Sequence, residues 1–218
     1  MHKFFVRFYI SPFENMEKIR PKAILFDMDG VLVDSIDSWW KSLNHALKHY
    51  NEPEMSLEEF KDKYWGHDLY ENLEKMKLSQ EVGNFCNNIY HRYLEDIKIY
   101  KNAKETLKKL NSYKKAIITN TPKDCTDHIL KNFEIREYFD KIFTSSDVTR
   151  PKPSPEIVNL ALKTFNLKPL DVVLVGDTTS DIKAGKAAGC RVIGMNIKAD
   201  YTIKTLAELL LLIQVNNV

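Results

Sequence analysis

The stretch that decides the fold is KAILFDMDGVLVDS, at residues 22–35. It begins with a short apolar run, Ala23–Phe26, which is typical of a strand buried on both faces of a sheet. Asp27 and Asp29 follow this run, separated by one residue. Because side chains two positions apart on an extended chain point to the same side, we expect the two carboxylates to project together.

These two carboxylates pose an electrostatic problem that suggests a metal site. Like charges held side by side repel each other, and burial strengthens the repulsion. A cation between them removes the conflict, and oxygen ligands suit a hard ion such as Mg²⁺. Gly30 allows the chain to turn sharply after the acids. The D-x-D-G pattern alone is equally compatible with a solvated acidic turn, so the remaining chain has to distinguish the two.

Composition is that of an ordinary globular protein. The 218 residues are 44% hydrophobic, which is enough for one buried core with material left for a small insert. The 32 basic and 30 acidic residues give a net charge of +2, which provides no electrostatic footprint for a nucleic acid or an anionic membrane. No apolar run approaches the length needed to cross a bilayer. We therefore expect neither nucleic acid nor membrane as a partner.

The three cysteines, Cys86, Cys125 and Cys190, are odd in number and widely spaced. No C-x-x-C pattern occurs, so neither a zinc site nor a disulfide framework is indicated, and a reduced, cytoplasmic protein is expected. Residues 1–20 are expected to be an N-terminal extension. Met16 would be a natural start just before the first strand, so the fold is not expected to require the segment that precedes it.

Residues 36–97 show helical periodicity and no convincing strand. Apolar residues such as Trp39 and Leu43 recur at helical spacing, and Ser56 with Glu59 reads as a capping box that opens a second helix. Two further helical repeats follow. We therefore predict an inserted all-helical cap domain at residues 35–98.

From residue 103 onward, helical and strand patterns alternate. Strands are predicted at residues 116–119, 141–144, 172–175 and 192–195, and helices at residues 103–110, 155–165, 182–188 and 206–213. One more helix is predicted after the second strand, with Thr121 as its N-cap and Pro122 as its first residue. This alternation predicts an α/β fold, with a parallel sheet flanked by helices and a core domain made of residues 21–34 and 99–218.

Polar residues stand at the carboxyl ends of the predicted strands, where such sheets bind ligands. The second strand ends in Thr119 and Asn120, whose side chains and following backbone N–H groups can hold an oxyanion. Lys152 follows the third strand among prolines, and Asp177 and Asp181 follow the fourth. Each residue alone could be a helix cap or a surface residue. Together, four acids, a hydroxyl and a constrained lysine at one sheet edge indicate a functional site.

The segments DMDGVLVDS, IITNT, RPKPSPE and VGDTTSDIKAGKAAG occur in this order along the chain. They resemble the four motifs of the haloacid dehalogenase superfamily, and most of all its phosphoglycolate phosphatase-like members with a helical cap. The resemblance covers residues 21–213, although the cap matches in type rather than in residues. It implies a Rossmann-like core and a Mg²⁺-dependent phosphatase that acts on a small phosphorylated metabolite.

The resemblance also implies a role for each strand-end residue. Asp27 would be the nucleophile that forms an aspartyl-phosphate, and Asp29 would be the general acid and base. Mg²⁺ would be held by Asp27, the backbone carbonyl of Asp29 and Asp177, with Asp181 binding directly or through another group. The groups that would hold the phosphoryl oxygens are Thr119, Asn120 and Lys152.

Other activities on the same scaffold stay open from the sequence. The dehalogenases themselves usually lack the second aspartate, which is present here as Asp29. Phosphomutases of the family typically carry two adjacent acids in the fourth motif, whereas Gly176 precedes Asp177 here, so hydrolysis is favoured. A phosphonatase would use a cap lysine as a Schiff base, and the candidates are Lys41, Lys48 and Lys61. A catalytically silent binding protein is the alternative from another class.

Substrate choice is expected to lie in the cap, in the loop Tyr64, Trp65, Gly66 and His67. The competing interpretation puts Trp65 in the core of the cap and His67 on its surface. His45 and His49 share a helical face without an H-E-x-x-H motif, so a structural role is predicted for them. The apolar helix at residues 206–213 could belong to the core or to a dimer interface, which leaves a monomer and a homodimer both possible.

Overall fold

The computed structural model describes residues 18–65, 67 and 69–215. Among them, six strands form one parallel sheet in the order β5-β4-β1-β6-β7-β8, and β2 and β3 form a separate antiparallel ribbon. The strands are β1 (Ala23–Phe26), β2 (Val33–Asp34), β3 (Lys98–Ile99), β4 (Lys114–Ile118), β5 (Lys141–Phe143), β6 (Val172–Gly176), β7 (Arg191–Met195) and β8 (Tyr201–Ile203). The order of strands reverses at β1, which lies between β4 and β6, so the sheet has its switch point there.

The described helices fall into two groups that differ in where they pack. The first four follow one another between β2 and β3, whereas the others alternate with the strands of the main sheet. The helices are α1 (Ile36–His49), α2 (Leu57–Lys63), α3 (Leu69–Lys75), α4 (Gln80–Ile89), α5 (Ala103–Lys109), α6 (Lys123–Asn132), α7 (Glu156–Phe165), α8 (Thr179–Ala187) and α9 (Leu209–Leu212). The predicted fold, a parallel sheet flanked by helices with an all-helical insert, is confirmed.

Strand β1 shows why the main sheet is covered on both faces. Its alternate residues are fully buried in two different apolar clusters. Ile24 and Phe26 pack in the cluster that includes Leu107 of α5, whereas Leu25 packs with Ala161 of α7. A strand with two buried faces needs apolar residues at every position, which explains the uninterrupted run in the sequence.

The first four helices have an apolar cluster of their own. Leu43 and Leu47 of α1 pack there with Phe60, Leu73 and Cys86 from the next three helices. The chain enters and leaves this helical segment through the ribbon, in which Val33 pairs with Ile99 and Asp34 with Lys98. The sequence analysis missed the ribbon because strands of two residues are too short for a periodic pattern. The assignment of residues 35–98 as a domain stays a prediction.

The starts of α6 and α8 differ from the sequence prediction because side chains near them form other hydrogen bonds. The N-cap of α6 is Pro122 rather than Thr121, and the Thr121 hydroxyl donates instead to Asp29 Oδ2 at 2.6 Å. Helix α8 begins at Thr179, three residues before the predicted start, because Thr178 and Asp181 form a reciprocal capping box. Strand β8 was not predicted, and the last apolar segment is a 3-10 turn, Leu206–Glu208, followed by the short helix α9.

The described residues nearest the N-terminus are part of the fold. The backbone N–H of Ile19 donates to Leu212, and Ile19 packs beside Ile213 in the main core. Of the predicted extension, residues 1–20, the first 17 lie outside the described residues, and Ile19 packs in the core rather than extending from it. Within the described part of the chain, no helix is both long enough and apolar enough to cross a membrane.

Candidate active site

The candidate site lies at the carboxyl ends of β1, β4 and β6, where the strand order reverses. A cavity of about 450 Å³ opens there, between the end of the sheet and the helices α1–α4. Asp27 and Asp29 from the end of β1, Thr119 from β4 and Asp177 from β6 all line it, together with Lys152 from the loop before α7. Parallel strands thus bring residues that are far apart in sequence to one place, as the sequence analysis predicted.

Asp27 is buried and paired with a lysine. Its Oδ1 lies 2.9 Å from Lys152 Nζ and also accepts the backbone N–H of Met28 at 2.8 Å. The same lysine lies 2.6 Å from Asp181 Oδ1. Burial by itself would lower the pKa of Lys152, but the carboxylates of Asp181 and Asp27 outweigh it and raise the pKa above the usual value. Lys152 is therefore a permanent cation beside Asp27.

One lysine does not balance the acids around it. Oxygen atoms of Asp27, Asp177 and Asp181 all lie within 4.8 Å of one another. Burial, and then the charges of neighbouring carboxylates, raise the pKa of Asp27 and of Asp177 well above the usual range. Three buried acids beside one ammonium can all stay ionised only with a further cation, because without one some of them take up protons instead.

Asp177 provides direct evidence that a ligand fits here. Its Oδ1 is buried and has no hydrogen-bond partner among the described residues. Gly30, with a φ of +73°, lies so close that a Cβ at this position would be 1.9 Å from Asp177 Oδ2. Only glycine leaves room for this carboxylate, and an oxygen with no partner suits an oxygen-preferring divalent cation such as Mg²⁺. The residues present therefore fit the metal that the family resemblance implies.

Asp181 differs from the other two acids because both of its oxygens already accept strong hydrogen bonds. Oδ1 accepts from Lys152, and Oδ2 accepts from the hydroxyl and the backbone N–H of Thr178 at 2.6 and 3.1 Å. A Cβ at Gly176 would lie 2.3 Å from the Cβ of Asp181, so this side chain also depends on a glycine. Asp181 is therefore placed to orient Lys152 and to cap the start of α8.

Asp29 lines the same cavity but its carboxylate is not in this cluster of three acids. The chain stops being extended after Phe26 and turns at Gly30, so the alternation rule used in the sequence analysis does not apply to Asp29. Its oxygens instead accept hydrogen bonds from five side chains: Ser35 Oγ at 2.5 Å, Thr121 Oγ1 at 2.6 Å, Trp39 Nε1 at 3.3 Å, Tyr90 Oη at 3.3 Å and Thr119 Oγ1 at 3.5 Å. This network fixes the orientation of the carboxylate.

The predicted phosphate-binding residues also line the cavity, and two of them have further partners. The Asn120 side chain holds the backbone of Lys152 from both sides, accepting its N–H at 2.9 Å and donating to its carbonyl at 2.8 Å. Thr119 Oγ1 accepts the backbone N–H of Thr121 at 3.1 Å. Asn120 thus places the lysine loop, and the assignment of all three residues to phosphate binding stays a prediction.

Several residues at the site were missed by the sequence analysis. Ser35 is the N-cap residue of α1, but its hydroxyl donates to Asp29 rather than capping the helix. Trp39 lies one helical turn further on, so its spacing from Ser35 was a signal that could have been used. Tyr90 is separated from Asp29 by 61 residues, and no local pattern connects the two.

The cap residues that were predicted to select substrate fall partly within the described structure. Tyr64, Trp65 and His67 line the cavity, and Gly66 lies outside the described residues. Trp65 also packs against Phe60, with ring centroids 6.0 Å apart. Burial lowers the pKa of His67 from its usual value, so its imidazole is neutral at neutral pH.

The remaining cap candidates have structural partners. His45 Nδ1 lies 2.8 Å from the Tyr93 hydroxyl, and the His49 ring stacks on Phe85, which agrees with the structural role predicted for both histidines. Lys41 pairs with Asp96 at 2.8 Å. The described residues that line the cavity do not include any of the three lysines considered for a Schiff base, which are Lys41, Lys48 and Lys61.

A parallel sheet with a lysine and several acids at the ends of its central strands, beside a helical insert, defines a capped α/β enzyme. A family model described as haloacid dehalogenase-like hydrolase matches residues 24–195, and the chain belongs to this family. The resemblance seen in the motifs is therefore confirmed, and so is the prediction of a hydrolase.

Two relatives and one solved structure show how far the likeness extends. Pyrophosphatase PpaX of Bacillus velezensis is 31% identical over 207 residues, which cover 88% of this chain and 95% of the relative. Phosphoglycolate phosphatase of Photorhabdus laumondii is 29% identical over 194 residues, covering 83% of this chain and 82% of the relative. A solved structure from Lactobacillus plantarum, provisionally named a phosphoglycolate phosphatase, has a TM-score of 0.81 at 16% identity and covers 89% of this chain and 100% of its own. That last likeness shows the fold.

Proposed function

We propose that the protein is a Mg²⁺-dependent phosphatase that hydrolyses a small phosphorylated metabolite through an aspartyl-phosphate on Asp27. The observation that carries the proposal is the pairing of a buried carboxylate with a permanent cation, Lys152, at 2.9 Å, beside an acidic cluster that calls for a further cation. The names of the relatives, which are phosphatases of small phosphorylated compounds, support the same reaction class.

The first chemical step forms the covalent intermediate. A carboxylate oxygen of Asp27 attacks phosphorus, the bond from phosphorus to the ester oxygen breaks, and Asp29 donates its proton to the departing oxygen. In the second step, Asp29 takes a proton from a water molecule that attacks the aspartyl-phosphate. Inorganic phosphate leaves, and both carboxyl groups return to their starting states.

The other residues position and neutralise the transferring group. Lys152 supplies a fixed positive charge, and Asn120 and Asp181 hold it in place from its backbone and its ammonium. Mg²⁺ bound by Asp27, Asp177 and the backbone carbonyl of Asp29 would supply the second positive charge. Phosphoryl transfer depends mostly on such positioning and charge neutralisation.

The lysines near the cavity argue against a phosphonatase, the competing reaction that uses a Schiff base. A phosphonatase needs a lysine that reaches the substrate, and Lys152 is the only lysine among the described residues that line the cavity. That lysine is held by two carboxylates and by burial, and its raised pKa makes it a poor amine nucleophile for a Schiff base. These contacts favour hydrolysis.

Trapping the covalent intermediate tests the proposal. The protein is mixed with p-nitrophenyl phosphate and Mg²⁺, quenched in acid during turnover, and digested for mass spectrometry. We expect the peptide that contains Asp27 to carry a phosphoryl group, and the Asp27→Asn variant to carry none. Turnover by a folded protein with no phosphorylated peptide would overturn the covalent mechanism, and absence of phosphate release from a broad panel of phosphate esters would overturn the phosphatase itself.

A further inference from the structure

The part of the cavity wall that faces away from the sheet is built from aromatic and aliphatic side chains. Helices α1–α3 and the turn after α2 contribute Leu43, Phe60, Tyr64, Trp65, Leu69 and Tyr70. Flat aromatic faces and branched aliphatic groups bind apolar or aromatic surfaces and offer no partner to a desolvated anion. This wall is where the leaving group of a substrate would lie once its phosphate is placed at Asp27.

The polar groups in the same wall are neutral. Asn72 and Asn87 contribute amides, and Asn72 Oδ1 is buried without a hydrogen-bond partner among the described residues. The Asn72 amide nitrogen donates to the backbone carbonyl of Tyr64 at 2.7 Å, which identifies Oδ1 as the acceptor atom. His67 is held neutral by burial. The wall therefore presents hydrogen-bonding groups without a positive charge.

The positive charge of the cavity is concentrated at the sheet. Of the described residues that line the cavity, Lys152 is the only lysine or arginine, and its ammonium already pairs with Asp27 and Asp181. Lys75 and Lys183 lie near enough to His67 to lower its pKa, but neither lines the cavity, and Lys183 pairs with Glu71 at 2.6 Å. A second anionic group on a substrate would thus lie beside acids and neutral groups, because the described residues of this wall offer no positively charged side chain to receive it.

We infer that the enzyme selects phosphate esters whose leaving group is uncharged and has apolar or aromatic surface, and that it discriminates against leaving groups that carry a carboxylate or a second phosphate. The inference rests on the proposed phosphatase function. It sets this chain apart from the relatives, because phosphoglycolate carries a carboxylate and pyrophosphate carries a second phosphate in the leaving group.

A matched pair of substrates tests the charge preference directly. Phosphoglycolate and 2-hydroxyethyl phosphate have leaving groups of nearly the same size. The first carries a carboxylate where the second carries a neutral hydroxymethyl group. We expect kcat/KM for 2-hydroxyethyl phosphate to exceed that for phosphoglycolate by about tenfold or more, and phenyl phosphate to be better than both. Equal or higher kcat/KM for phosphoglycolate would overturn the inference and leave the phosphatase function standing. No hydrolysis of any of the three esters would also overturn the inference, and only absence of phosphate release from the broad panel would overturn the phosphatase function with it.

A charge placed in the wall provides the second test, with a control on the same helix. Asn87 lines the cavity and donates to the Tyr70 hydroxyl at 3.2 Å, whereas Asn84 accepts from that hydroxyl at 2.8 Å but is exposed and does not line the cavity. We expect Asn87→Lys to raise kcat/KM for phosphoglycolate relative to 2-hydroxyethyl phosphate by about tenfold, and Asn84→Lys to change the ratio by less than about twofold. Circular dichroism checks that both variants fold. An unchanged ratio in folded Asn87→Lys, or an equal shift in both variants, would overturn the inference.

Discussion

Asp27 is the residue at which chemistry and stability are expected to respond in opposite directions. Asp27→Asn keeps the shape of the side chain and removes the anionic nucleophile, so kcat should fall by several orders of magnitude. The substitution also removes one of three mutually repelling carboxylates, so the metal-free variant should be at least as stable as the wild type. Steady-state turnover of p-nitrophenyl phosphate and urea denaturation in EDTA measure the two effects.

Asp127→Asn is a matched control for this variant, because Asp127 is exposed and forms only a surface ion pair with Lys123 at 3.3 Å. The control should keep wild-type turnover. If Asp27→Asn retained more than about a tenth of the wild-type kcat, Asp27 would not be the nucleophile.

Lys152 is expected to matter for stability as well as for activity. Lys152→Met keeps much of the length and apolar volume of the side chain but leaves two buried carboxylates without their partner. Breaking a buried ion pair in this way costs about 3–5 kcal/mol. Urea denaturation in EDTA measures the loss, with Lys183→Met as a surface control whose exposed pair with Glu71 should contribute less than about 1 kcal/mol. Similar losses in the two variants would show that the Lys152 pair is not a buried ion pair.

The sequence allowed most of these residues to be found, and the reason is geometric. Asp27, Thr119 and Asp177 follow apolar strands, and parallel strands end at the same edge of the sheet, so local patterns are enough to bring the three residues together. The hydrogen-bond partners of these residues were harder to predict. Tyr90, for example, donates to Asp29 across 61 residues of chain, and no local sequence pattern connects the two. The orientation of Asp29 was also out of reach, since it depends on a turn rather than on the strand.

At the scale of elements, the network around Asp29 joins it to three further segments of the chain. Ser35 and Trp39 belong to the start of α1, Thr121 precedes α6, and Tyr90 lies in the 3-10 helix Tyr90–Asp96. The Trp39 and Tyr90 rings stack with centroids 3.9 Å apart. The orientation of the proposed general acid therefore depends on the packing of the inserted helices, as well as on the turn in which Asp29 lies.

Ser35→Ala tests this dependence. Removal of the hydroxyl that lies 2.5 Å from Asp29 Oδ1 frees the carboxylate to rotate, and we expect kcat to fall by about tenfold with a smaller change in KM. The matched control is Ser38→Ala on the same helix, because Ser38 is also buried but donates to the backbone carbonyl of Tyr93 instead. Ser38→Ala should lose stability by about 1 kcal/mol and keep its kcat. Equal effects of the two substitutions on kcat would point to general damage to α1.

Element boundaries show a second limit of sequence analysis. The sequence contains the Thr178–Asp181 capping box. The predicted helix nevertheless begins at residue 182, three residues after the observed start of α8, because the prediction treats Asp181 as a metal ligand. One side chain here serves the helix and the site together, because its two oxygens face different partners. Sequence patterns assign one role to each residue, so a predicted helix boundary is least accurate at a residue that serves both the helix and the site.

At the scale of the whole molecule, the excess of buried acid predicts that a divalent cation stabilises the fold. An ion that binds the native state at about 100 times its Kd adds about 2.7 kcal/mol, which corresponds to a rise in Tm of roughly 5–10 °C for a chain of this size. Differential scanning calorimetry in EDTA and in Mg²⁺ should show this rise, and turnover should disappear in EDTA and return with Mg²⁺. Full turnover after exhaustive EDTA treatment would reject the metal requirement.

The Asp177→Asn variant locates the ion. Because Asp177 has an oxygen with no hydrogen-bond partner in the described part of the chain, its loss should remove most of the Mg²⁺-dependent rise in Tm while the metal-free Tm stays equal or increases. Asp171→Asn is the control, since Asp171 forms a surface pair with Lys22. If Mg²⁺ raised the Tm of Asp177→Asn as much as that of the wild type, the ion would bind elsewhere.

The short antiparallel ribbon has a consequence for how such a chain can change over time. Because Val33 and Ile99 are partners, the helical segment between β2 and β3 departs from the core and rejoins it at neighbouring points. A segment whose two ends are adjacent in space can be lengthened, shortened or exchanged without altering the path of the remaining chain. The helical segment can therefore vary while the core stays the same, provided that it keeps Ser35, Trp39 and Tyr90, whose side chains hold Asp29.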